Sequence, residues 1–219
     1  MCSMTEIQDV VPALSEAARE ALVGLVIRGM HRGERSAPQA ELVERGLAVV
    51  KGPILMPVGS AAAIAGALVR LPAGGEAEVR VRRLLEVFLP VNRRLRELCT
   101  AWQCRPDGSL NDHSDPMYDA GIRDRLDDIH DAITPVLGRL VPDLPSVGGY
   151  GPRFETALEK LDAGDNAWLA SPLLDSYHTV WMHLHQELLM ALGLSRAQDE
   201  ALEEALVSGQ ARQVAGQTG

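Results

Sequence analysis

The chain of 219 residues has a formal net charge of −9 and only 4% aromatic residues. That length supports a sizeable core in one large domain or two small ones, and the scarcity of aromatics beside abundant Ala, Leu, Val and Arg argues against a β-rich fold. Cys2, Cys99 and Cys104 form neither a disulfide framework nor a zinc pattern, so they read as idle or buried thiols.

The opening "MCSMTEIQDVV" has no basic region before an apolar run, so no signal peptide is expected. "SEAAREALVGLVIRGM" predicts the first helix, capped by Ser15, with Ala18, Leu22, Leu25 and Gly29 as its stripe. A polar turn, "HRGERSAP", precedes a second helix, "PQAELVERGLAV", with Pro38 in its first turn. Gly52-Pro53 predicts a turn in a small hairpin near residues 48 to 58, and Pro57-x-Gly59 leads into another helix. "MPVGSAAAIAGALV" is too short to span a bilayer, and a cytoplasmic protein without membrane contact is expected.

This order, with "LVERGLAV" before the hairpin and "MPVGSAAA" after it, resembles the winged-helix layout of MarR-like regulators over residues 15 to 70. The resemblance implies a DNA-binding head. Two features depart from the family. Met56 and Ser60 stand where Thr and Arg are usual, and the span from Met30 to Leu42 is short for two helices. Residues 1 to 70 hold seven Lys or Arg against seven Asp or Glu, whereas phosphate binding draws on concentrated positive charge. Weak, salt-dependent DNA binding through Arg32, Arg35, Arg45 and Lys51 is one expectation. A degenerate winged-helix-like segment repurposed for dimerisation or packing is the other.

"LPAGGEAE", residues 71 to 78, reads as the linker, which divides the chain into a winged-helix-like segment, 1–72, and a helical bundle, 76–212. The fold class expected is all-α in the main. "EVRVRRLLEVFLPVNRRLRELCTAWQ" places Leu84, Phe88, Val91, Leu95, Leu98 and Trp102 on one face, with Pro90 set to kink or divide it. "MYDAGIRDRLDDIHDAITPVLGRLV" repeats the pattern through Ile122, Leu126, Ile129, Ile133 and Leu137. "PRFETALEKLDAGD", "PLLDSYHTVWMHLHQELLMALGL" and "RAQDEALEEALVSGQ" complete the bundle. Two of its segments, "AWQCRPDGSLNDHSDPMYDAGIRDRL" and "DSYHTVWMHLHQELLMALG", are similar to helical domains behind winged-helix segments in actinobacterial proteins. They also resemble segments trailing some pyruvate phosphate dikinase homologues. These likenesses imply architecture, not a catalytic residue or cofactor.

His178, His183 and His185 invite a metal reading, but no two stand at i,i+3 or i,i+4, and no metal site is expected. His178 and His185 share a face about 10 Å apart along the helix axis. Leu174, His178, Trp181, His185 and Leu188 form one stripe, and Asp175 could orient His178. In "NDHSDPMYD", Ser114 or Asp115 can cap a helix starting at Pro116, with Asp119 in its first turn. The cap does not account for Asn111, Asp112, His113, Tyr118 or the preceding Trp102. Trp102, Asp112, His113 and Tyr118, with Asp175, His178, Trp181 and His185, form a candidate small-molecule pocket. The plainer alternative is a pair of core histidines. Three functions follow from this reading. The first is a regulator-like homo-oligomer, a homodimer by family resemblance, with a helical effector or dimerisation domain. The second is a small enzyme using His178 or His113 as acid/base and Asp112 or Asp175 as orienting carboxylate. The third is a non-catalytic partner of a metabolic enzyme.

Overall fold

The computed structural model describes residues 13–217, with side chains to 209; Cys2 and the opening segment lie outside them. The chain is mainly helical, with one small three-stranded sheet. It divides into two compact units, one of residues 1–73 with 186–194, the other of residues 74–185 with 195–219.

In the first unit, α1 (Glu16–Arg28) is capped by the Ser15 side chain and buries Ala18, Leu22 and Leu25. Gly29 is not the fourth member of that stripe. It closes the helix in the left-handed conformation, φ 75°, a role glycine takes without a Cβ penalty. β1 (His31–Arg32) follows, where the polar turn was expected. α2 (Ala37–Glu44) starts with a Ser36–Gln39 capping box and stops well short of Val49. Gly46, at φ 68°, lets the Leu47 N–H return to Leu42 O at 2.8 Å, which ends the helix. β2 (Ala48–Lys51) and β3 (Ile54–Pro57) form the expected hairpin around Gly52. The sheet is antiparallel in the order β1-β3-β2. α3 (Ala61–Val69) adds Ala61, Ile64 and Ala65 to a core shared with Leu22, Leu25, Leu42 and Leu55.

The second unit is built from long helices. α4 (Glu76–Gln103) passes through Pro90 undivided, and its buried face holds Leu85 rather than Leu84. α5 (Pro116–Leu140) buries Ile122, Leu126, Ile129, Ile133 and Leu137, as its periodicity predicts. A 3-10 turn (Pro145–Gly149) leads to α6 (Tyr150–Asp162), and the short α7 (Ala167–Ala170) follows. α8 (Tyr177–Leu192), whose residues from 186 on are counted with the first unit, begins five residues later than "PLLD" suggests, because the Ser176 hydroxyl accepts from Thr179 N and starts the helix there. α9 (Arg196–Gln217) is opened by Ser195 and Gln198, which bond each other's backbone amides. Each fully buried Leu or Ile in these faces contributes about 1.5–3 kcal/mol of transfer free energy. Among the described residues no helix is long and apolar enough to cross a membrane.

Candidate functional site

One side of α4 departs from its apolar pattern. Asn92 sits one turn after Phe88, on the face that packs inward, and is only 3% exposed. A buried amide must find partners. Its Oδ1 accepts from Trp181 Nε1 at 2.9 Å, and its Nδ2 donates to Glu203 Oε2 at 3.3 Å. The Arg96 guanidinium donates to the other oxygen of Glu203. Phe88 adjoins this network, stacked on Trp181 with centroids 4.9 Å apart and tilted against His185 at 5.0 Å.

Beside the network is a cavity of about 310 Å³. α4 contributes Asn92 and Arg96, and α8 contributes Met182 and His185. The remaining wall comes from α9, through Arg196, Asp199, Glu200, Glu203 and Glu204. These five positions recur at intervals of three and four, so one helix face carries them all. Asp199 is in the first turn of α9, where the helix dipole favours an anion.

Two of the lining residues form a His–Asp pair. His185 is 2% exposed and Asp199 4%. Their Nε2 and Oδ2 atoms are 3.0 Å apart, an ion-pair distance. The ring nitrogen and the oxygen are misaligned, however, so the contact is not a hydrogen bond. Among the described residues neither imidazole nitrogen has a hydrogen-bond partner, nor does Asp199 Oδ1. Leaving such groups buried and unmatched costs about 1–3 kcal/mol each. Hydrogen bonding within the described residues leaves these three atoms unused.

The expected pocket residues do not gather in one place. Trp181 and His185 belong to the cavity region. Trp102, His113 and Tyr118 gather at the far end of α4, ten residues beyond Asn92, which is about 15 Å along the axis. There Asp115 caps α5 through Met117 N and Tyr118 N. His113, at φ 59°, lies against Trp102 with ring centroids 4.3 Å apart, and its Nδ1 is 2.9 Å from Asp119 Oδ2. Asn111 Nδ2 donates to Trp102 O and Asp119 Oδ1, and the Tyr118 hydroxyl donates to Ala101 O. Asp112 binds the Ser114 amide and hydroxyl, which holds its carboxyl below the usual range. The loop satisfies itself.

Asp175 does not orient His178. It lies before α8 and takes a two-pronged pair from Arg153, at 2.7 and 2.6 Å. Burial works against the Arg153 cation, and Asp175 more than offsets it, so the guanidinium is held above its ordinary pKa. His178 is half-buried, and desolvation pushes its pKa down. The carboxylates of Asp112 and Asp175 thus bond Ser114 and Arg153.

The proposed DNA contacts lie in the first unit. Arg32 and Lys51 both pair with Ile54 across the sheet, so the three form one row on one face, with the Cα atoms of Arg32 and Lys51 about 10 Å apart. Arg35 precedes α2, and Arg45 is its C-cap; both are exposed.

Asn92, Arg96, Met182, Arg196, Asp199, Glu200, Glu203 and Glu204 were missed from sequence. Two signals were present, an Asn within an apolar helix face and an Arg/Asp/Glu series at helical spacing. Charged residues at that spacing ordinarily form a solvated face; here Arg196, Glu200 and Glu204 stay exposed, and the packing of α9 on α4 buries only Asp199 and Glu203. No protein-family model matches the chain, and comparison with curated proteins and solved structures returns no match.

Proposed function

We propose that the chain is a regulator-like protein whose helical unit binds a small polar molecule in the cavity between α4, α8 and α9. The observation that carries this reading is the buried His185–Asp199 pair, with three polar atoms left without hydrogen bonds beside an open volume. Small-molecule sites combine an enclosed volume with a few converging polar groups, and about 310 Å³ stands at the lower end of their usual ~300–1,000 Å³.

The regulator part rests on the first unit. The succession α1, β1, α2, β2, β3, α3 and the strand order β1-β3-β2 support a winged-helix-like head. A single eight-residue helix lies between β1 and β2, where a full helix-turn-helix has two, so DNA contact is proposed as weak and backbone-directed through Arg32, Lys51, Arg35 and Arg45. Homodimerisation belongs to the same proposal and follows from the family resemblance alone; a cytoplasmic location is proposed alongside it.

The test uses the indole N–H of Trp181, which reports on Asn92 in the cavity wall. In proton–nitrogen NMR spectra, with the resonance assigned by Trp181→Phe, titration with small amines, alcohols and carboxylates should shift it saturably for at least one class. An indole resonance that none of them moves would overturn the reading.

A further inference from the structure

We infer that the cavity takes a small organic cation, a primary amine on a short aliphatic stem. The inference rests on the cavity being a ligand site. Its wall holds four carboxylates, Asp199, Glu200, Glu203 and Glu204, against two guanidiniums, Arg96 and Arg196. Arg96 is already committed to Glu203, and Arg196 has interactions of its own. An anion entering here would meet excess negative charge with no uncommitted counter-ion. A cation would balance it.

Shape and hydrogen-bonding capacity narrow the class further. Among the described residues no three His, Cys, Asp or Glu side chains converge in a way that could hold a metal ion, so the site does not suit a bare inorganic cation. An alkylammonium, protonated at neutral pH as a lysine side chain is, instead brings directional N–H donors. Asp199 Oδ1 takes one when its carboxylate turns toward the volume, with the His185 ring beside it on the wall. Asp199 Oδ1 is buried and without a hydrogen bond in the free protein. Met182, the apolar side chain of the wall, faces the hydrocarbon stem. Glu200 and Glu204, exposed at the mouth, attract the cation at longer range, in a manner that salt weakens.

Calorimetric titration of the full chain with butylamine, butan-1-ol and butyrate compares three probes of similar size and different charge. Butylamine is expected to bind, with butan-1-ol and butyrate at least about tenfold weaker, the factor that one charge-assisted hydrogen bond supplies. Asp199→Asn keeps the shape of the wall and should weaken butylamine by about tenfold or more, with the helical circular dichroism unchanged. If Asp199→Asn fails to fold, Glu200→Gln with Glu204→Gln serves instead. That variant should lower the affinity and flatten its dependence on salt. Tighter binding of butyrate or butan-1-ol, with loss in Asp199→Asn, would overturn the amine and leave the cavity standing. No heat from any of the three, with an unmoved Trp181 resonance, would overturn both.

Discussion

The indole N–H of Trp181 on α8 donates to Asn92 Oδ1 on α4 at 2.9 Å, and both residues are almost wholly buried. The amide of Asn92 then faces Glu203 on α9, so one side chain joins three helices. Asn92→Leu keeps the volume and removes both bonds, leaving the indole donor buried without an acceptor. The unfolding free energy from urea titration should fall by about 1–3 kcal/mol. A change within about 0.5 kcal/mol, the range of ordinary surface substitutions, would show that the network does not fix these helices.

His178 gives the fold a dependence on pH. Burial disfavours its charged form, so the folded pKa lies below the unfolded one. The unfolded state then binds the proton more tightly, and stability is lost as pH falls from about 6.5 through the folded pKa. His178→Gln should remove part of that loss. Parallel melting temperatures of the two proteins between pH 7 and pH 5 would refute this assignment.

The loop between α4 and α5 is predicted to serve the fold alone. Asp115 caps α5 and receives the Arg105 guanidinium at 3.3 Å, and these bonds hold its carboxyl below the ordinary range. Asp115→Ala should cost about 1 kcal/mol, as loss of a helix cap does, and leave the Trp181 indole shifts intact. Altered ligand response in this variant would return the loop to the site.

How far the sequence reads correctly depends on which distances matter. Helical faces such as Ile122, Leu126, Ile129, Ile133 and Leu137 were legible because periodicity is local. The Asp115 cap and the hairpin at Gly52 were legible for the same reason. His185 and Trp181 were visible as a polar notch on one helix. Their partners were not, because Asn92 and Asp199 lie 93 residues before and 14 after His185, and chain spacing says nothing about which helix face meets which. Asp175 misled for a similar reason. Its spacing suits His178 on a continuous helix, but Ser176 starts α8 after it, and Arg153 on α6 takes the carboxylate.

On the first unit, Arg32 and Lys51 flank Ile54 in one row of the sheet. If that row meets phosphate, binding to duplex DNA should be weak and fall steeply with salt. Arg32→Ala with Lys51→Ala should then reduce the slope of log K against log salt by about one for each phosphate that is no longer neutralised. Fluorescence anisotropy with a mixed-sequence duplex measures it. No binding at low salt would assign the head to packing or dimerisation, and sequence-selective binding at physiological salt would contradict the weak-contact account.

The central claim is that the His185–Asp199 pair is kept for a ligand and not for the fold. Replacing both partners of such a buried pair by apolar side chains is often neutral or stabilising by about 1–4 kcal/mol, whereas removing one partner and leaving the other buried costs about 3–5 kcal/mol. The deciding measurement is urea unfolding of His185→Leu/Asp199→Leu beside the wild type, each with and without butylamine. The account predicts a double variant at least as stable as the wild type, and stabilisation by butylamine in the wild type only. A double variant weakened by about 3 kcal/mol or more, or one that butylamine still stabilises, would contradict it.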